Sequence, residues 1–169
     1  MLTSTPRALD RLKELLVLDV MRRNVTVIPH DATMSEAAET LRRRDVSGAP
    51  VVDAQGRCLG VLSAVDFLRF DESAKPRGAR AARHANAGEL PFNSVQRYMS
   101  VPVHAISPLA SIVDAAQLMC LQHVHRLVVL NELNVPAGVI STFDIVSAVV
   151  HAVDEDRQRG GHEDAAGSE

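Results

Sequence analysis

The sequence predicts an α/β (α+β) fold assembled from one β-α-β-β-α unit used twice. Three observations carry this reading. Residues 21–68 align without a gap onto residues 99–146, at a constant offset of 78. Within each copy, short apolar runs of strand length alternate with apolar residues at helical spacing. Each copy closes on the same signature, Gly-x-x-Ser-x-x-Asp, at Gly60, Ser63 and Asp66 and again at Gly138, Ser141 and Asp144. Met21/Met99, Val25/Val103, Ile28/Ile106, Ala37/Ala115, Ala38/Ala116, Val46/Val124 and Val51/Val129 are further identical pairs. A repeat of roughly 50 residues is one supersecondary unit that needs its twin to bury its apolar face. Function is therefore expected between the copies.

The elements follow in order. Thr5-Pro6 reads as a helix cap followed by proline at the first helical position, and Leu9, Leu12, Leu15 and Leu16 mark one apolar stripe. This predicts an N-terminal helix within residues 1–18. Repeat 1 then spans residues 19–70 and repeat 2 residues 95–153. Val25-Thr26-Val27-Ile28 predicts a short strand, matched by Val103-His104-Ala105-Ile106. Asp31 or Thr33 can cap a helix with Met34, Ala37, Ala38 and Leu41 on one face. Ile112, Ala115, Ala116 and Met119 repeat that i, i+3, i+4, i+7 pattern. A buried strand follows at Ala49–Val52, against Leu127–Leu130. The turn Asp53-Ala54-Gln55-Gly56 has its counterpart at Asn131–Asn134, where Asn tolerates a left-handed backbone. The hairpins return through Leu59–Leu62 and Ala137–Ile140, and second helices start at Ser63 and Ser141. Continuous apolar strands beside amphipathic helices imply helices covering sheets.

Composition narrows the function classes. Of 169 residues, 46% are apolar, enough for a core, but only 3% are aromatic and none is Trp. That argues against base stacking on aromatic platforms, and the net charge of −3 gives no overall attraction to nucleic acid or anionic lipid. Cys58 and Cys120 occupy non-equivalent positions with no metal-ligand spacing, so both are expected as buried free thiols. No basic-then-apolar leader opens the chain and no apolar run approaches about 18 residues, so the expectation is a cytoplasmic protein without membrane insertion. Residues 71–94 form a linker carrying Lys75, Arg77, Arg80, Arg83 and His84. Residues 154–169 are charged and Gly-rich, and are expected to be a disordered tail. Its His162, Glu163 and Asp164 are read as solvated, and no metal site is expected.

The Gly-x-x-Ser-x-x-Asp segment admits two readings. Ser-x-x-Asp is close to a capping box, with the hydroxyl on a backbone N–H and the acid reaching back. The same parts also suit a nucleotide. A helix N-terminus and a hydroxyl attract phosphate, a carboxylate accepts from vicinal ribose hydroxyls, and Gly lets a ligand approach the backbone.

The doubled unit ending in Gly-x-x-Ser-x-x-Asp resembles a tandem pair of CBS domains, also called a Bateman module. His125-Arg126-Leu127-Val128-Val129 resembles the family's His-Arg-Leu-Pro-Val-Val segment, and the resemblance covers about residues 15–150. It implies two repeats packed with pseudo-two-fold symmetry around two shared clefts. One would use Gly60, Val61, Ser63 and Asp66 facing Val103, His104, His125 and Arg126. The other would use Val139, Ser141 and Asp144 facing Val25, Thr26, Ser47 and Gly48. Asp would hold ribose and Ser phosphate. Arg126 can make a bidentate contact to phosphate, whereas Ser47 and Gly48 stand where His125 and Arg126 do. The Arg126 cleft is accordingly expected to be the tighter AMP or ATP site. Ser63 and Ser141 replace the Thr common in the family, and Val128 replaces Pro, while Pro50 keeps it.

The function implied is a stand-alone regulatory module, of the energy-sensing kind. It would bind AMP, ADP or ATP without an obligatory cofactor and signal in trans to a protein target or through a homodimer, whose interface would involve Val146–Val153. The alternative is a non-catalytic dimerisation module with degenerate clefts. Catalysis is not expected: no nucleophile elbow, Walker loop or paired-carboxylate motif occurs. Nucleic-acid binding through residues 75–84 is opposed by the charge balance.

Overall fold

A computed structural model describes residues 7–74 and 93–163. The expected Thr5-Pro6 cap and the basic linker residues Lys75 to His84 lie outside the described residues. The elements are α1 (Arg7–Glu14), α2 (Val17–Val20), β1 (Ile28–Pro29), α3 (Met34–Arg44), β2 (Gly48–Val52), β3 (Cys58–Ser63), α4 (Ala64–Ala74), a 3-10 turn (Val95–Arg97), β4 (Ala105–Ile106), α5 (Ile112–Gln122), β5 (Arg126–Leu130), β6 (Pro136–Ser141) and α6 (Thr142–Glu163). The mixed α+β class and the doubled β-α-β-β-α order agree with the sequence reading. Two three-stranded sheets form, ordered β1-β2-β3 and β4-β5-β6.

The chain divides into two compact units whose borders cross the repeat borders. One unit holds Met1–Arg23, His104–Asn131 and Ala137–Glu169; the other holds Asn24–Val103 and Glu132–Pro136. Each repeat therefore leaves its leading segment in the unit formed by the other repeat's sheet.

In the unit of β1-β2-β3, β1 lies parallel to β2, with Ile28 opposite Val51, and β2 runs antiparallel to β3. Its core is Ile28, Met34, Ala37, Leu41, Ala49, Val51, Leu62 and Val95, flanked by Phe67, Phe70, Tyr98 and Met99. Phe70 and Tyr98 meet edge to face at 5.0 Å. In the unit of β4-β5-β6 the core is Val17, Ala115, Met119, Leu127, Val129 and Ile140, with Met21 and Ile106 against it. These positions match at the repeat offset, Val17 standing for Val95 and Met119 for Leu41. Ala38 is exposed on α3, so the buried stripe there is Met34, Ala37 and Leu41.

Both first helices open on a capping box. Thr33 accepts from the Glu36 N–H while the Glu36 carboxylate takes the Thr33 N–H, and Ser111 and Asp114 repeat this. The Thr33 N–H and hydroxyl hold the Glu36 carboxyl below its ordinary range. Both helices also end on a left-handed residue, Asp45 and His123, each with φ 52°.

Several expected boundaries move. The strands Val25–Ile28 and Val103–Ile106 shorten to two residues each, because Arg22 is bonded to Val139 in one unit while Ile28 is bonded to Val51 in the other. Residues 23–27 pair with neither ladder, whereas in the second copy the His104 carbonyl still accepts from the Val128 N–H at 3.1 Å. Helix α4 extends past residue 70 to Ala74. Asn93 and Ser94, expected in the linker, belong to a packed unit: the Asn93 carbonyl accepts from the Met34 N–H at 2.9 Å and Ser94 is buried. Helix α6 continues through Asp154 to Glu163 where a disordered tail was expected. No proline interrupts residues 154–163 and most are adequate helix formers, Ala152 is buried, and Arg11 of α1 pairs with Glu155. The thiols are also less buried than expected. Cys120 is exposed on α5 and Cys58 is half-buried, with burial pushing the Cys58 thiol upward.

The leading segments are fastened by backbone bonds and by two methionines. Arg22 and Val139 exchange N–H···O bonds at 3.0 Å each, and Val61 and Ser100 do so at 3.1 and 2.8 Å. Gly60 and Gly138 permit this approach. A Cβ on Gly60 would stand 2.6 Å from Met99 Sδ and 3.1 Å from the Ser100 carbonyl, and one on Gly138 would collide with Met21. Overpacking of this kind costs about 1–3 kcal/mol. Gly60→Ala and Gly138→Ala should each lower the urea midpoint accordingly, and pairing Gly60→Ala with Met99→Ala should recover part of the loss.

Candidate ligand-binding site

The two motif acids sit at equivalent places. Strands β3 and β6 end on Ser63 and Ser141, and α4 and α6 begin at the next residue. Asp66 Oδ2 accepts from both the Ser63 N–H and the Ser63 hydroxyl at 2.8 Å. Asp144 Oδ2 accepts from the Ser141 N–H at 2.8 Å and its hydroxyl at 2.5 Å, and the Asp144 N–H returns to Ser141 Oγ at 3.3 Å. The capping reading of Ser-x-x-Asp is therefore present in the geometry. Each serine hydroxyl expected for phosphate donates to its own aspartate here.

The second carboxylate oxygen distinguishes the copies. Asp66 Oδ1 accepts from the Ser100 hydroxyl at 2.9 Å and from Arg69 at 3.4 Å, and Asp66 is fully buried. With two donors on each oxygen, the roughly four acceptor sites of a carboxylate are occupied. Asp144 Oδ1 instead accepts from Arg22 Nε at 3.2 Å, with the acid side chain 11% exposed and the arginine 69% exposed. Arg22 and Ser100 are the same position in the two repeats. Neither was singled out from the sequence. The available signal was that alignment, which places a cation in one copy opposite a hydroxyl in the other.

The glycines act differently from the sequence expectation. Gly60 and Gly138 were read as letting a ligand approach the backbone, but the space a Cβ would take is filled by Met99 and Met21. At Gly48 a Cβ would stand 2.8 Å from the Leu62 carbonyl, so its missing side chain serves the β2–β3 ladder.

The remaining candidates distribute over both units. Val25, Thr26, Ser47, Gly48, Val61 and Val103 belong with Gly60, Ser63 and Asp66; His104, His125, Arg126 and Val139 belong with Ser141 and Asp144. Val25, Thr26, Val103 and His104 are half-buried, while Ser47, His125 and Arg126 are exposed. The Ser47 and His125 carbonyls accept from the Ala64 and Thr142 N–H groups at 3.3 and 3.1 Å, so both tie the β2 and β5 entries to the second helices. Among the described residues no group of three or more His, Cys, Asp or Glu is placed to hold a metal. No helix among them is long and apolar enough to cross a membrane.

The acids should differ in their effect on stability. Stranding a buried donor costs about 1–3 kcal/mol, whereas an exposed ion pair contributes about 0–1 kcal/mol. Asp66→Ala should therefore cost about 3 kcal/mol and Asp144→Ala about 1 kcal/mol, taking both the lost bonds and the exposure into account. Urea denaturation of the two variants measures the difference directly.

Comparison with known proteins places this architecture. The CBS domain family matches residues 17–73 and 95–151. The CBS domain-containing protein YhcV of Bacillus subtilis is 27% identical over 129 residues, covering 76% of this chain and 81% of YhcV. The crystal structure of CBSX2 in complex with AMP shares the fold at a TM-score of 0.65 and 23% identity, covering 81% of this chain and 97% of that one. The CBS domain of a bacterial CNNM/CorC family Mg2+ transporter in complex with ATP does so at 0.64 and 18%, covering 85% and 92%. With both repeats matched and the doubled fold reproduced in solved CBS structures, this chain belongs to the CBS domain family, as a tandem CBS pair.

Proposed function

We propose that the chain is a non-catalytic regulatory module that binds an adenosine nucleotide and passes the signal to a partner in trans. The observation that carries this reading is the Gly-x-x-Ser-x-x-Asp segment kept in both copies, in a fold shared with CBSX2 bound to AMP and with a transporter domain bound to ATP. The ribose falls to a motif aspartate. Phosphate falls to cationic groups, with Arg126, His125 and His104 as candidates and Ser63 or Ser141 as hydroxyl donors once released from their acids. Binding alters the partner only through differential affinity for two arrangements of the chain.

A second reading has its own support. Phe143, Val146 and Val150 expose an apolar stripe at helical spacing on α6, with exposures of 67%, 58% and 52%. Such a face suits a homodimer or a protein target, and it would serve a module whose ligand sites have degenerated.

Calorimetric titration with AMP, ADP and ATP separates the readings. Saturable heat with at least one nucleotide and no hydrolysis product is expected, and no heat with any of them would favour the interaction module. Light scattering after size exclusion tests the stripe: Val146→Asp should convert a dimer to a monomer.

A further inference from the structure

Resting on the homodimer reading, we infer that α5 of the second repeat lies on the two-fold axis of that dimer, antiparallel to the same helix of a second copy and centred on Gln117. Its twin in the first repeat, α3, takes no part.

The twin helices agree on their inner face and disagree on their outer one. Both are 11 residues long, open on a capping box and end on a left-handed residue, and they bury Met34, Ala37 and Leu41 or Ile112, Ala115 and Met119. On the outside the pairs at the repeat offset are Ser35/Val113, Glu39/Gln117, Arg42/Cys120 and Arg43/Leu121, all exposed. On α3 the charges are paired within the helix, Glu39 with Arg42 at 2.9 Å and with Arg43 at 3.6 Å. On α5 Val113 and Leu121 stand 39% and 75% exposed, with the Cys120 thiol beside them. The first repeat folds with polar residues at these places, so the fold does not require apolar ones. Exposed apolar side chains without a folding role mark a contact surface.

The pattern of that surface selects a second copy as its occupant. Val113, Gln117 and Leu121 follow at i, i+4 and i+8, which makes one ridge along the helix. The ridge reads apolar, amide, apolar in either direction. A two-fold axis at Gln117 sets Val113 against Leu121 of the partner subunit twice over, and brings the amide to its own copy. A glutamine amide both donates and accepts, so two of them satisfy each other across the axis. A closed two-fold interface requires a patch that is complementary to itself in this way. The outer face of α3 fails the same pairing, because the axis would bring Glu39 against Glu39 of the partner subunit. Stacking α5 on α3 of a second copy would bury paired charges under Val113 and Leu121, and burying such pairs costs desolvation. Helix α5 also packs beside α6, which carries the Phe143, Val146 and Val150 stripe.

The alignment fixes which cysteines can cross-link. Packed helices lie about 8–10 Å apart with Cα atoms about 2.3 Å from each axis, so residues on the two-fold have Cα atoms about 4–5 Å apart, within disulfide reach. Cys120 is displaced from its copy by about 9 Å along the helices and stays out of reach.

The test is mild oxidation of Gln117→Cys in a Cys120→Ser background, read on non-reducing gels. Glu39→Cys in the same background controls for chance collisions and for Cys58. Gln117→Cys should run mainly as a covalent dimer, while Glu39→Cys and the wild-type chain should run mainly as monomers. Sedimentation equilibrium supplies a second measurement. Leu121→Arg, which copies the residue of the other repeat, should keep its fold by circular dichroism and weaken dimerisation by roughly 10-fold or more. Arg43→Ala should change it by less than about threefold. Equal cross-linking of Glu39→Cys and Gln117→Cys, wild type joined through Cys120, or a folded Leu121→Arg that dimerises like wild type would each overturn the inference. The homodimer reading would then stand on Val146→Asp alone. Wild type that stays monomeric at every concentration overturns that reading and this inference together.

Discussion

The fold depends on a backbone exchange made twice. The segment that leads into each repeat bonds to the outer hairpin strand of the other repeat's sheet, Arg22 with Val139 and Ser100 with Val61. Strands β3 and β6 are sheet edges, and an unpaired edge is a row of exposed donors and acceptors. The leading segments cover part of those edges and bring Val17 and Val95 into cores that their own repeats do not form. The approach needs bare backbone at Gly60 and Gly138, because Met99 and Met21 occupy the space in front of them. One constraint therefore explains two identities of the repeat together, the methionine and the glycine. Both are packing requirements.

The same exchange sets the environment of the motif acids. Once a leading segment is bonded to β3 or β6, its residue at position 22 or 100 lies beside the aspartate of the following helix. Ser100 completes a closed set of bonds around a buried carboxylate, while Arg22 leaves a partly open one. The duplicated backbone gives the two acids the same serine partner and the same helix start. Side chains outside the motif make them chemically different: Ser100 and Arg69 meet Asp66, and Arg22 meets Asp144. Each acid also meets an exposed arginine, Arg69 at 3.4 Å and Arg22 at 3.2 Å, while burial is complete only at Asp66.

The helices and hairpins could be read along the chain because their determinants are local. Thr33 and Ser111 cap helices, Asn134 and Gly56 take left-handed turn conformations, and Met34, Ala37 and Leu41 recur at helical spacing. The misplaced boundaries were those set by partners far away. The first strands shortened because their flanks pair in different units, Asn93 and Ser94 joined a core instead of a loop, and α6 gained a neighbour in α1. Cys120 was read as buried because α5 is apolar on more than one face, and only packing decides which of those faces meets the core.

By itself the sequence determined the duplication, the α+β class, the order of elements and the Ser-Asp pair at the start of each second helix. Periodicity, capping and turn chemistry act over a few residues, so they are written in neighbouring positions. Tertiary structure alone decided that Gly60 faces Met99, that Asp66 is closed by Ser100 and that Asp144 is met by Arg22. Those contacts join residues dozens of positions apart, and burial and hydrogen-bond occupancy exist only once the chain has brought them together.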